Sequence, residues 1–146
     1  MEHKELTQSQ KIMIMIIENL KETTEGRKKL MKLMFLLQHY DLEKNKLVEK
    51  GFLDNEFIIY RYGVFSFDVM NDYIDLVNEK IIFERPMRTV DRRFELDEKT
   101  INRIISILER FGQKHGFELE KDTLEMLGLN LETKENFIGE PITKFI

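Results

Sequence analysis

Arg27-Lys28-Lys29-Leu30-Met31-Lys32-Leu33-Met34-Phe35-Leu36-Leu37 is the stretch from which the fold can be read. Leu30, Leu33, Met34 and Leu37 recur at helical spacing, which predicts a helix over 27–40 with an apolar stripe on one side. Phe35 and Leu36 widen that stripe. Upstream, Thr7-Gln8-Ser9-Gln10 has the form of a capping box, in which the Thr7 hydroxyl and the Gln10 amide serve each other's backbone donors. A first helix follows to about Lys21. Its apolar residues from Ile12 to Ile17 cover more than one face, so it belongs near the centre of the molecule.

Downstream the pattern weakens. Leu42, Leu47 and Val48 allow a short helix ending at Gly51. Phe57-Ile58-Ile59-Tyr60 is a short β-rich segment, and Tyr62-Gly63-Val64-Phe65 turns the chain, with Gly63 suited to positive φ. Ser66 is a good N-cap. Phe65 before it and Met70 inside the helix form a hydrophobic staple. A third helix to about Lys80 then buries Val69, Met70, Tyr73, Ile74 and Val77. Ile81-Ile82-Phe83 and Phe94-Glu95-Leu96 read as an antiparallel hairpin around a polar loop opened by Pro86. The order is helix, helix, strand, helix, strand, loop, strand. That is the order of a winged helix with a small β-hairpin wing at 85–93. Asp97 can cap a fourth helix with Ile101, Ile104, Ile105, Leu108 and Phe111 on its buried face, ended by Gly112 or Gly116. Leu124, Met126 and Leu127 suggest a short fifth helix stopped by Gly128. The expected fold class is mainly α (α+β): one domain over 1–146, with a winged-helix-like core at 7–111 and a helical extension at 112–146. The last residues include Phe137, Ile138, Ile142, Phe145 and Ile146, too many apolar groups for a solvated tail, so docking on the body or on a partner is expected.

Composition narrows the chemistry. The 146 residues are 42% apolar and 34% charged with a net charge of −4, which supports a core and leaves no general basic surface for nucleic acid. The absence of Cys excludes disulfides and thiolate sites and agrees with a reducing cytoplasm. The longest apolar run is too short to span a bilayer, and the polar, acidic start is unlike a signal peptide, so a cytoplasmic location and no membrane partner are expected. The seven glycines at 26, 51, 63, 112, 116, 128 and 139 form no phosphate-cradling loop, and there is no nucleophile elbow. His3, His39 and His115 are not at ligand spacing, so no metal or cofactor is expected. His39, in the last turn of the second helix, reads as a capping or surface residue whose imidazolium suits the helix dipole. Pairs such as Asp72 with Asp75 read as a solvated face. A non-enzymatic role follows.

Two basic clusters are the candidate anion- or partner-binding residues. Arg27, Lys28 and Lys29, with Lys32 one turn on, sit where a helix start prefers acids. Cations added to free N–H groups make an anion site, a phosphate or an acidic protein surface. The alternative is a solvated face whose cations meet Glu22 and Glu25. Arg85, Arg88, Arg92 and Arg93 crowd the wing beside Glu84, Asp91 and Glu95. Such a loop could touch phosphates next to a groove, or be an exposed turn with its own weak ion pairs. Asp68, Asp72, Asp75 and Glu79 on the third helix would repel DNA, which favours a protein partner over DNA.

The 27–37 stretch resembles the K-L-x-K-L-x-[FY]-[FL] signature of SocA/Panacea-type antitoxin domains and of the related YwgA-type proteins. Tyr62-Gly63-Val64-Phe65-Ser66 is similar to their Y-G-P-[YFV]-S segment, with Val64 in place of Pro. Leu76-Val77-Asn78-Glu79-Lys80-Ile81-Ile82 is similar to L-x-x-x-G-L-I, with Lys80 where Gly is common. The likeness covers residues 10–110. It implies a winged-helix-related domain in phage-associated or toxin-neutralising proteins that act through protein contacts, with a toxin or a protease adaptor target as partner. It supplies no catalytic residues. A winged-helix DNA-binding regulator is the alternative, and a homo-oligomer is compatible with either.

Overall fold

A computed structural model describes residues 5–20 and 26–146. The chain is helix-rich α+β: five α-helices and three separate two-stranded antiparallel hairpins among the described residues. The helices are α1 (Gln8–Asn19), α2 (Gly26–His39), α3 (Phe67–Asn78), α4 (Glu98–Phe111) and α5 (Gly116–Met126). The hairpins pair β1 (Tyr40–Asp41) with β2 (Lys46–Leu47), β3 (Ile58–Tyr60) with β4 (Gly63–Phe65), and β5 (Ile82–Glu84) with β6 (Met87–Thr89).

Local chemistry sets most helix ends. Gln10 N–H donates to Thr7 Oγ1 and Thr7 N–H donates to Gln10 Oε1, both at 3.0 Å, completing the capping box of α1. Ser66 Oγ accepts from Val69 N–H, and Asp97 Oδ1 accepts from Thr100 N–H. Both side chains satisfy a donor that the first helical turn leaves without a partner. The end of α3 is a Schellman turn: Ile81 N–H reaches Leu76 O and Lys80 N–H reaches Val77 O. Lys80 therefore holds φ +62°, a left-handed conformation that glycine adopts without penalty. Lys80→Gly is expected to raise stability by about 0.5–1 kcal/mol, read as a rise in denaturant midpoint at unchanged slope.

α2 is the axis of the molecule. All of its residues from Lys29 to His39 are buried, and α1, α3, α4, α5 and β4 pack around it. Gln38 O accepts from Phe52 N–H and His39 O from Val48 N–H. Arg103 of α4 caps the end of this helix, its guanidinium donating to Leu37 O at 2.7 Å and to Tyr40 O, just beyond the helix, at 2.6 Å. This cation takes the dipole role that the sequence offered to His39. His39 is neither a surface nor a charged cap. It is 4% exposed, Nδ1–H donates to Val48 O, and Nε2 accepts from the Gln38 amide, which fixes the neutral ring. Burial holds its pKa below the usual value.

Several expected elements differ. Residues 42–51 form no helix; the chain turns between β1 and β2, with Asp41 Oδ1 accepting from the N–H groups of Glu43 and Lys44 and Asn45 at φ +55°. The hairpin after α3 closes through the two-residue turn Arg85-Pro86, because Met87 must turn inward to reach 2% exposure. Phe94-Glu95-Leu96 is therefore not its second strand, and 85–93 is not a single loop. Ile74 and Ile105 face outward, and the buried faces of α3 and α4 run through Leu76 and Ile107 instead. Gly116 opens α5 rather than ending α4, and α5 is a full helix.

The segment after α5 docks on the body. Gly128, at φ +76°, closes α5. Gly139 N–H donates to Ile59 O, Ile59 N–H to Glu140 O, and Ile142 N–H to Phe57 O, while the Ile142 side chain is buried. Of the sequence expectations, those on His3, Lys21, Glu22 and Glu25 lie outside the described residues.

A candidate binding cavity at the start of the central helix

The first turns of α2, the β3–β4 hairpin and the start of α3 enclose an open cavity of about 530 Å3. Its walls are mainly apolar: Met31 from α2, Tyr60, Tyr62 and Phe65 from the hairpin, and Met70 from α3. Four cations also line it, Arg27, Lys28 and Lys32 from α2 and Arg61 from the hairpin turn. Three of the four residues of the first basic cluster thus meet at one place. The fourth, Lys29, is buried in α2 and is not among the lining residues.

The hairpin is held against α5 by Gly63. Its φ of +89° suits glycine, and a Cβ there would lie 3.2 Å from the side chain of Glu120. This close approach brings the buried Glu120 to the cations. Lys28 Nζ lies 2.5 Å from Glu120 Oε1 and also over the rings of Tyr62 and Phe117, at 5.1 and 5.9 Å from their centroids. Such a cation between two rings is attracted to both faces. Arg27 is committed on its other side, donating from Nε and Nη2 to the two oxygens of Glu84 at 2.7 and 2.9 Å. Tyr73 Oη–H donates to the same carboxylate at 2.7 Å. The Arg27 hydrogen bonds hold the Glu84 carboxyl down at about 2, while burial and Glu84 push the Tyr73 phenol up.

Lys32 differs from its neighbours. It is 2% exposed, and its ammonium donates to Val64 O at 2.8 Å. Desolvation pulls its pKa from 10.5 to about 7; Glu120 opposes that fall, while Lys28 and Lys134 add to it. An amine so placed changes charge near neutral pH.

The second cluster does not join this cavity. Arg85 and Arg88 are exposed on the β5–β6 hairpin, with the Arg88 guanidinium 4.6 Å above the Phe83 ring. Arg92 and Arg93 follow in irregular chain beside Phe94 and Glu95, near the end of α1. The Arg27–Glu84 pair links β5 to α2. Replacing the exposed Arg88 and Arg93 together with Ala is expected to cost no more than about 1 kcal/mol in thermal melts, since exposed charge contacts contribute little. A much larger loss would place these residues in a stabilising network.

Sequence spacing could not find Glu84, Glu120, Tyr73 or Phe117 as partners of α2, because each comes from a distant element. Gly63 was the one short-range signal. Among the described residues no helix is long and apolar enough to cross a membrane, and no group of three His, Cys, Asp or Glu side chains is placed to hold a metal ion. No known family model matches the chain, and no curated protein or solved structure shows significant similarity to it.

Proposed function

We propose that the chain is a non-enzymatic regulatory binding module of the SocA/YwgA type, acting in the cytoplasm through protein contacts on a winged-helix-like frame. The element order supports the frame with one insertion: α1, α2, the added β1–β2 hairpin, β3–β4, α3 and then the β5–β6 hairpin in the place of a wing. The observation that carries the function is an exposed aromatic surface beside the cavity. Tyr62 is 66% exposed, Phe117 60% and Phe67 53%. Phe67 stacks edge-on against Phe65 and Tyr60, and Tyr62 and Phe117 flank Lys28. Large exposed rings next to paired cations are what protein interfaces use as anchors. On this reading the partner is a toxin or a protease adaptor target, and the aromatic surface is where it docks.

A winged-helix DNA-binding regulator is the competing reading, resting on the exposed Arg85 and Arg88 of the β5–β6 hairpin. Against it, Arg27 and Lys28 are neutralised by carboxylates and Lys32 is buried, so these cations have little charge left to displace counterions from DNA. The test is co-expression with the product of the neighbouring gene, followed by affinity measurement for the wild type and for Tyr62→Ala with Phe117→Ala. The double variant is expected to keep its melting temperature within a few degrees and to lose about tenfold or more in affinity. Equal affinity would remove the surface from the interface. Nanomolar, sequence-specific binding of DNA at physiological salt would favour the DNA reading.

A further inference from the structure

We propose that the cavity between α2, the β3–β4 hairpin and α3 is a binding site for a small planar aromatic acid, a ring system carrying one carboxylate. The inference goes beyond docking of a protein partner and does not depend on it. The volume of about 530 Å3 falls in the range of small-molecule sites, as does a mainly apolar lining with a few polar groups. Tyr60, Tyr62 and Phe65 offer ring faces and edges, and Met31 and Met70 offer soft, adaptable thioether surface, which suits a flat apolar body.

The charge of the ligand follows from the pairing of the four cations. Arg27 is held by Glu84 and Lys28 by Glu120. Lys32 and Arg61 remain. The Lys32 ammonium has three donors, and its hydrogen bond within the structure is the one to Val64 O. Lys32 lines the cavity and is 2% exposed, so a carboxylate lodged against it would meet the donors that Val64 O does not use. Arg61 is exposed at the rim, where it can meet the same carboxylate from the solvent side. A carboxylate reaching Lys32 would favour the ammonium over the amine, so binding near neutral pH takes up protons. The charged and titratable groups around Lys32 are Lys28 on its own helix, Glu120 of α5, Lys134 from the segment after α5, and the phenols of Tyr60 and Tyr62 across the cavity.

The experiment compares naphthoate with naphthamide, which keeps the shape and removes the charge. Calorimetric titration at pH 7, in two buffers of different ionisation enthalpy, reads affinity and proton uptake together. Naphthoate is expected to bind about tenfold or more tightly than naphthamide, with net uptake of protons. Lys32→Met should abolish both the preference and the uptake. Met70→Trp, which fills the cavity, should abolish binding of both ligands. Should Lys32→Met fail to fold, Arg61→Ala, at an exposed position, is expected to reduce the preference severalfold. The proposal is overturned if neither ligand binds, if the two bind equally, or if the folded variants bind as the wild type does.

Discussion

Leu33→Ala is expected to destabilise the protein by about 2–5 kcal/mol, the range for removing three carbons from a well-packed interior. Leu33 is fully buried at the middle of α2, the helix that α1, α3, α4 and α5 all contact. No single neighbour can close the gap, because these helices are also held by contacts with other elements, such as α1 with α3 and α4, and α5 with β4. In a domain of this size the loss corresponds to a fall in Tm of roughly 5–15 °C. Denaturant titration with tryptophan-free optics, such as far-ultraviolet circular dichroism, would measure it. A loss below about 1 kcal/mol would mean that the side chain is not packed as described.

Lys32→Met is expected to act in the opposite direction. A drop in pKa from 10.5 to about 7 means that the folded protein disfavours the ammonium by about 5 kcal/mol. Folding at neutral pH therefore carries the cost of burying this charge or of shedding its proton. Methionine has similar length and no charge to desolvate. Loss of the bond to Val64 O offsets part of the gain, leaving about 1–3 kcal/mol of added stability at pH 7. The pH dependence has a definite sign. Between pH 7 and 10.5 the unfolded wild type binds more protons than the folded form, so its stability rises with pH across that window and is flat below it. The variant lacks this rise, and the two curves approach each other at high pH. Parallel curves from pH 6 to 10 would show that Lys32 is not desolvated.

What could be read from the chain is what depends on near neighbours. The stripe through Leu30, Leu33, Met34 and Leu37, the caps at Thr7, Ser66 and Asp97, and the positive φ of Gly63 each rest on a few adjacent residues, and these hold. The turn itself is Arg61-Tyr62, and Gly63-Val64-Phe65, which reads as part of it, is strand β4. The β1–β2 hairpin was open to the same kind of reading. Asp41 and Asn45 are turn residues in the right places, but Leu42, Leu47 and Val48 imitate a weak helical pattern. The β5–β6 register is not legible because Pro86 reads as the opening of a long loop, whereas Glu84 pairs with the buried Met87 across a two-residue turn. The cavity was half legible. Arg27, Lys28 and Lys32 stood out as cations at a helix start, yet their partners Glu84 and Glu120 are supplied by β5 and α5. The burial of Lys32 had a trace in the sequence: α2 is apolar on nearly every side from Leu30 to Leu37, so a lysine within it has no wet face to occupy.

β3 is a short strand with two flanks, and β4 covers one of them. The other is taken by residues 139–142, which exchange backbone hydrogen bonds with Phe57 and Ile59 as a neighbouring strand would. The chain thereby uses up its own adhesive edge. An uncovered row of N–H and C=O groups, flanked by Phe57 and Ile59, would recruit any extended peptide, a second copy of the same hairpin included. Removing residues 139–146 would therefore do more than shorten the chain. It would turn a self-limiting fold into one open to strand exchange.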